Sequence, residues 1–125
     1  MAVGTKSGCG LTGRGSLQVF VQTSAAATSQ TCSTDTLAAY KLLHVDIAYS
    51  AAPTYTGSGL TVTLNAAAGA GYDTLLQAGT SNQQYFVFVP TSGEYIIKLG
   101  DAIDVVAPSG AGAITSSVSI YVEEL

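Results

Sequence analysis

The sequence predicts an all-β protein, an antiparallel β-sandwich of about eight strands. Polar and apolar residues alternate in several short segments rich in β-branched residues, and this period of two is typical of strands with one buried face. Residues that favour turns separate these segments at intervals of about 8–12 residues, as in sandwiches and barrels. Only 10% of the 125 residues are charged, which excludes a coiled coil or a long charged helix.

The N-terminal segment, residues 1–16, contains five of the 14 glycines and two of the four basic residues, Lys6 and Arg14. Glycine at this density favours irregular, extended backbone. We therefore predict a flexible N-terminal arm over residues 1–16. The rest of the chain, residues 17–125, is predicted to form a single β-sandwich domain.

Within that domain, residues 23–39 are mostly Ser, Thr and Ala and include no aromatic residue. Such a segment buries little apolar surface, so we predict a long loop there. Every position from 85 to 89 is apolar, which predicts a strand buried on both faces. The predicted strands lie near residues 17–22, 40–50, 60–66, 72–78, 84–90, 94–99, 102–107 and 116–123.

Charge and hydrophobicity limit the classes of partner. The formal net charge is −4 and the pI is about 4.5, so binding to nucleic acid has no electrostatic basis. No apolar run approaches the roughly 18 residues of a membrane span, and the N-terminus lacks the apolar stretch of a secretory signal. We expect a soluble protein that is synthesised in the cytoplasm and has no membrane partner.

The two cysteines, Cys9 and Cys32, allow two interpretations. They form a disulfide that ties the N-terminal arm to itself or to a neighbouring chain, or they remain free thiols in a reducing compartment. The free thiols are the simpler expectation. Because neither cysteine belongs to a Cys-x-x-Cys pair and His44 is the only histidine, no zinc site is predicted.

No group of residues has the spacing of a catalytic site. Residues 4–8 read Gly-Thr-Lys-Ser-Gly, but a phosphate-binding loop needs the full Gly-x-x-x-x-Gly-Lys-Ser/Thr spacing after a strand. A serine hydrolase needs a base, yet the sole histidine, His44, lies on the polar face of its strand, and no Gly-x-Ser-x-Gly turn is present. We expect His44 at the surface or in an interface. The protein is expected to be neither an enzyme nor dependent on a cofactor.

Two neighbouring carboxylates, Asp101 and Asp104, could form a glycosidase pair or act structurally. Asp101 follows Gly100, where its side chain can accept backbone N–H bonds at a turn, and Asp104 alternates with two apolar neighbours. We therefore expect structural roles for both. Calcium binding by these residues with Asp73 lacks the Asp-x-Asp-x-Asp spacing of a calcium loop.

Seven tyrosines and no tryptophan leave open a carbohydrate-binding surface. Tyrosine is equally common in protein interfaces and at the rims of cores, and the seven are spread along the chain, so we favour the interface interpretation. The candidate interface residues are Lys6, Arg14, Tyr40, His44, Tyr55 and Tyr121.

Several segments between residues 40 and 122 resemble small virion proteins of tailed bacteriophages, of the jelly-roll decoration or cement type. The resemblance is carried by Leu-His-Val-Asp-Ile-Ala-Tyr-Ser-Ala-Ala-Pro (43–53), Leu-Thr-Val-Thr-Leu (60–64), Gly-Tyr-Asp-Thr-Leu (71–75), Gly-Asp-Ala-Ile-Asp-Val (100–105) and Val-Ser-Ile-Tyr-Val (118–122). It implies an eight-stranded jelly-roll sandwich, often trimeric, whose N-terminal arm grips the capsid or a neighbouring subunit. It implies no catalytic residues.

These observations predict a capsid decoration protein that binds the outer shell of a virion and stabilises it. Its partners would be the major capsid protein or other virion proteins, together with further copies of itself, and its location would be the capsid surface. A charge-poor surface costs little to desolvate when it is buried against neighbours. The alternative is a β-sandwich module of a phage appendage that binds carbohydrate or a host surface.

Overall fold

A computed structural model describes residues 10–14, 17–54, 60–79, 82–90 and 95–125, with only the backbone described for residues 10–14. These residues form ten strands and one turn of 3-10 helix, Ala70–Tyr72. The strands are β1 (Gly10–Arg14), β2 (Leu17–Thr23), β3 (Gln30–Ser33), β4 (Tyr40–Tyr49), β5 (Thr61–Asn65), β6 (Thr74–Ala78), β7 (Tyr85–Phe88), β8 (Tyr95–Ile97), β9 (Ala102–Ala107) and β10 (Ser116–Glu124). No helix in these segments is long and apolar enough to cross a membrane.

The strands form two antiparallel sheets packed as a sandwich. One has six strands in the order β1-β2-β10-β4-β7, with β8 also paired to β4, and the other has the order β3-β9-β5-β6. Strand β2 pairs with β10, β3 with β9, β4 with β7 and β5 with β6. These four pairs are those of one long antiparallel ribbon rolled up on itself, which is the jelly roll. The predicted sandwich is confirmed.

Buried apolar residues alternate with partly exposed residues along the two longest strands, β4 and β10, and contribute to the core. In β10, Val118, Ile120 and Val122 are fully buried, while the residues between them are partly exposed. Strand β4 follows the same rule except for a bulge opposite the step from Tyr121 to Val122, which leaves both Leu43 and His44 partly exposed. A bulge places two residues opposite one and turns the strand locally. Here it sets the position of His44 on the outer face.

Two strands lie in segments for which the sequence predicts none. Strand β1 is part of the predicted N-terminal arm and pairs along its length with β2, while the rest of that arm lies outside the described residues. Strand β3 interrupts the predicted loop 23–39, and that prediction is wrong for residues 30–33. The apolar pattern of the sequence misses β3 because Gln30 and Ser33 are polar residues that are buried by hydrogen bonding and not by apolar contact.

Cys32, also on β3, is fully buried and takes part in a disulfide. The interpretation with free thiols is therefore wrong for this residue. Cys9 lies outside the described residues. A disulfide removes conformational freedom from the unfolded chain, so this bond adds to the stability of a strand that has little apolar surface.

The prediction that residues 84–90 are buried on both faces is also wrong. Phe86 and Phe88 pack toward the core, but Tyr85, Val87 and Val89 are exposed on the other face. The reason is the place of β7 at the edge of the six-stranded sheet, on the face that the second sheet does not cover. Apolar residues on both faces of a segment do not by themselves show what covers each face.

Candidate binding surfaces

Of the six predicted interface residues, the structure describes the side chains of three, Tyr40, His44 and Tyr121. Lys6 and Tyr55 lie outside the described residues, and Arg14 is described only as part of the backbone of β1. Tyr40 is 0% exposed, so its prediction as an interface residue is wrong. Its hydroxyl donates a 2.8 Å hydrogen bond to Asp35 Oδ1 inside the fold. Burial, reinforced by this bond, raises the pKa of Tyr40 well above the usual range.

His44 and Tyr121 are brought together on the outer face of the six-stranded sheet. They are direct cross-strand partners on β4 and β10, and their rings stack with 4.2 Å between centroids and 20° between planes. Asp46, two residues along β4, places Oδ2 3.6 Å from His44 Nε2, which makes an ion pair when the imidazole is protonated. The three side chains are partly exposed, as expected for a surface or interface histidine.

An apolar groove of about 280 Å³ adjoins this stack. Leu17 and Val19 of β2 form one wall, Leu43 lies at the bulge of β4, and the stacked rings complete it. The walls offer few hydrogen-bonding atoms, which are needed to orient a polar ligand. The groove is therefore suited to apolar contact.

Exposed apolar residues concentrate on one side of the sandwich. Ten large apolar side chains are exposed among the described residues, and seven of them lie between residues 72 and 99. Strand β6 is an edge strand of the four-stranded sheet, and β7 and β8 form one edge of the six-stranded sheet. Contacts of β3 with β2 and of β9 with β10 align the strand orders of the two sheets. These two edges therefore lie on the same side of the sandwich. We call this surface the β6–β8 side. Its exposed members are Tyr72, Leu75, Tyr85, Val87, Val89, Ile96 and Leu99.

The backbone of β7 has an open edge on this side. The amide of Tyr49 donates to the carbonyl oxygen of Gln84 at 2.9 Å, and the register aligns Phe86 with Ile47. Hydrogen-bonded and non-bonded pairs alternate in an antiparallel ladder, so the N–H and C=O groups of Tyr85 and Val87 point away from β4. No other described strand pairs with β7. Within the described segments, these groups therefore have no strand partner.

A second groove, of about 400 Å³, lies where the 3-10 turn meets the connection from β8 to β9. Tyr72 and Tyr95 contribute aromatic rings, and Lys98 and Asp101 contribute opposite charges. Burial, with a smaller contribution from the Asp101 carboxylate, raises the pKa of Tyr95. Gly100 makes the sharp turn between Lys98 and Asp101 with φ +95, a conformation that favours glycine. This groove combines aromatic surface with hydrogen-bonding groups.

The carboxylates considered as catalytic or calcium-binding act as hydrogen-bond acceptors. Asp73 Oδ1 accepts from the amide of Ala66 at 2.8 Å, and Asp101 Oδ1 accepts from the amide of Ala67 at 2.9 Å. Asp104 accepts hydrogen bonds from Ser33 Oγ and Asn65 Nδ2. In the described part of the chain, no group of three or more His, Cys, Asp or Glu side chains could hold a metal ion.

The sequence pattern misses the β6–β8 side as a surface. Alternation predicts its strands but not which of them end a sheet, and edge position is what exposes Val87 and Val89. One local signal is consistent with the edge: Pro90 lies two residues after the end of β7, and proline in sheets is confined to edges and strand ends.

No family model and no curated protein matches the chain. Among solved structures, the chain is similar to a mutant of CBM29-2, a family 29 carbohydrate-binding module complexed with mannohexaose. The alignment covers 94% of this chain and 76% of that one, with 13% sequence identity and a TM-score of 0.40. Similarity this low gives no information about what the present chain binds.

Proposed function

We propose that this protein is a structural component of a virus particle, a decoration protein that binds the outer shell and stabilises it through contacts between subunits. The observation that carries this proposal is the β6–β8 side, with its seven exposed apolar side chains. Exposed apolar side chains gathered along one side of a folded protein are typical of a contact with another macromolecule. Aliphatic side chains predominate there, and the apolar area that they bury against another protein surface favours association.

The mechanism is passive. Each docked copy buries apolar area that opening of the shell would expose again, so bound copies raise the free energy needed to open it. The described charged residues of the β6–β8 side are Asp73 and Lys98, which keeps the desolvation cost of docking low. The jelly roll recurs in viral capsid proteins and in lectins, so the fold suits this function without selecting it.

A heat-challenge experiment tests the proposal. Virus particles that lack this chain are mixed with the purified protein, and the temperature of genome release is measured. We expect the wild type to co-sediment with the particles and raise that temperature. Val87→Lys should bind less, whereas Leu37→Lys should bind as the wild type does, because Leu37 is equally exposed (61% against 62%) but lies outside the β6–β8 side. A wild type that neither binds nor protects the particles contradicts the proposal.

Carbohydrate binding is the second candidate function, and the groove at the 3-10 turn favours it. The ring of Tyr72 is largely exposed, next to the ammonium of Lys98 and the carboxylate of Asp101. A sugar ring could stack on the tyrosine while its hydroxyls bond to the charged groups. Titration with soluble oligosaccharides tests this candidate: Tyr72→Ala should abolish binding, and Tyr85→Ala, which removes an equally exposed ring elsewhere, should not.

A further inference from the structure

We propose that two copies of this chain associate by antiparallel pairing of their β7 strands, which joins the two six-stranded sheets into one continuous sheet across a twofold axis. This inference rests on the proposed function, since it identifies a contact between subunits: the backbone edge of β7 binds a second copy, and the exposed side chains of Tyr85, Val87 and Val89 stay on the open face of the joined sheet. It differs from the trimer that the resemblance to decoration proteins implies.

The free backbone groups of β7 provide the first reason. The N–H and C=O groups of Tyr85 and Val87 point away from β4, as the register requires. An open edge of this kind is a template for another strand, and proteins that avoid such pairing protect the edge with charged residues. Strand β7 reads Tyr-Phe-Val-Phe and carries no charge.

The side chains of β7 are complementary to themselves. With Val87 of the first copy opposite Val87 of the second, the antiparallel arrangement sets Tyr85 of each copy opposite Val89 of the other. Pairs of an aromatic and a β-branched residue are favourable across antiparallel strands. The three residues are all exposed on the outer face, so the pairs would form without rearrangement of the core.

Charge favours a second copy over a partner of opposite charge. The chain carries a net charge of −4, yet residues 82–90 contain no charged residue at all. Two copies can therefore approach edge to edge without like charges facing each other across β7, and a basic partner would gain nothing at this strand. Beyond about 10 Å, salt screens the remaining repulsion between the two acidic chains.

Apolar side chains are also available beside the paired edge. Seven large apolar side chains are exposed among the described residues of β6, β7, β8 and their connections. In a twofold contact the same patch serves both copies, so one exposed side is enough to form a closed dimer.

Sedimentation equilibrium over a concentration series tests the inference on the full chain. We expect a dimer of twice 12.6 kDa for the wild type. Val87→Pro removes an N–H that points away from β4, so it should leave the fold intact, as judged by circular dichroism, and produce a monomer. Val87→Thr keeps that N–H and should remain dimeric.

A second variant decides the question if Val87→Pro fails to fold. Val87→Lys sets like charges opposite each other in the dimer and should raise its dissociation constant at least about tenfold, because like charges directly opposite are destabilising. Leu37→Lys should leave the constant unchanged. Hydrogen exchange gives a direct readout: the amide of Val87 should be protected in the wild-type dimer and exchange rapidly in Val87→Lys.

Three results would overturn the inference: a wild type that stays monomeric at high concentration, a trimer, or a dimer that persists in the folded Val87→Pro variant. Failure of the inference is distinguishable from failure of the proposed function. A monomer that is nonetheless a stoichiometric part of virus particles refutes the pairing of β7 alone. A dimer that is absent from particles refutes the proposed function alone.

Discussion

The imidazole of His44 lies against the phenol ring of Tyr121, with ring centroids 4.2 Å apart. The two residues face each other across β4 and β10, the central pair of the six-stranded sheet, at the bulge that turns His44 outward. The chain's one histidine is therefore packed against an aromatic ring of the neighbouring strand. The stack fixes the rings that form part of the apolar groove on this face.

Double-mutant analysis of His44→Ala and Tyr121→Ala should give a coupling free energy of about 0.5–1.5 kcal/mol, because ring stacking contributes beyond the area that it buries. Urea denaturation of the wild type, both single variants and the double variant measures it. Asp46→Asn serves as the control and should change stability by less than about 0.5 kcal/mol, since its contact with His44 is partly exposed. Strictly additive effects of the two alanines would show that the rings do not stabilise each other.

Ser24→Ala should lower the free energy of unfolding by about 1–3 kcal/mol, because it leaves the buried amide of Ser116 without its acceptor. That amide donates to Ser24 Oγ at 2.9 Å, and Gln30 Nε2 joins the cluster through the hydroxyl of Ser116 at 2.8 Å. Thr28→Ala removes a hydroxyl from an exposed position and should change stability by less than about 0.5 kcal/mol. Chemical denaturation compares the two variants, and equal effects would contradict the structural role of the cluster.

The buried hydroxyl of Tyr40 should make stability fall in alkali. The folded state holds the pKa of Tyr40 above about 10, the value of the unfolded chain, so the unfolded state loses this proton first. The contribution is fully present below pH about 10 and is lost as the pH rises further. Tyr40→Phe should cost about 1–3 kcal/mol at pH 8, since Asp35 loses a donor.

The same variant should show a weaker fall in the free energy of unfolding between pH 9 and about 11 than the wild type, because phenylalanine does not titrate. Urea denaturation at three pH values in that interval measures the slope for each protein. Identical slopes for Tyr40→Phe and the wild type would mean that Tyr40 ionises equally easily in the folded and unfolded chains.

Asp104 ties three strands of the four-stranded sheet together. Its Oδ1 accepts from Ser33 Oγ on β3 at 2.6 Å, and its Oδ2 accepts from Asn65 Nδ2 on β5 at 3.0 Å. Asp104→Ala should therefore cost about 1–3 kcal/mol, whereas Asp46→Ala, on a partly exposed side chain without such a bridge, should cost less than about 1 kcal/mol.

The role of Asp104 also predicts that calcium does not change the stability of the protein, because both carboxylate oxygens already accept hydrogen bonds from neighbouring strands. The melting temperature should be the same with millimolar calcium and with a chelator. A melting temperature that rises with calcium in the wild type but not in Asp104→Ala would instead assign the carboxylate to a metal site.

Local periodicity predicts most of this fold but not all of it. Alternation identifies strands such as β4 and β10, whose apolar residues report burial directly. It misses β3, because Gln30 and Ser33 are buried by hydrogen bonds with partners that are distant in sequence. The order of strands within the sheets depends on those long-range pairings and on which faces are covered, neither of which a local pattern contains.

The candidate surfaces are harder to predict for the same reason. His44 is assigned to the surface from its place on the polar face of a strand, and the structure places it there. Tyr40 is predicted at an interface, yet the hydrogen bond to Asp35 allows its complete burial. Val87 has the sequence environment of a core residue and becomes a surface residue only because β7 ends its sheet.

The copy number of this chain in purified virus particles tests the proposed function most directly. Trypsin cleaves after Lys41 and Lys98 and releases residues 42–98, and an isotope-labelled standard of that peptide allows absolute quantification by mass spectrometry beside the major shell protein. The proposed function predicts a fixed ratio to the shell protein, with copy numbers of the same order. Absence from the particles, or only a few copies in each, would contradict it; a few copies are what a host-binding appendage would show.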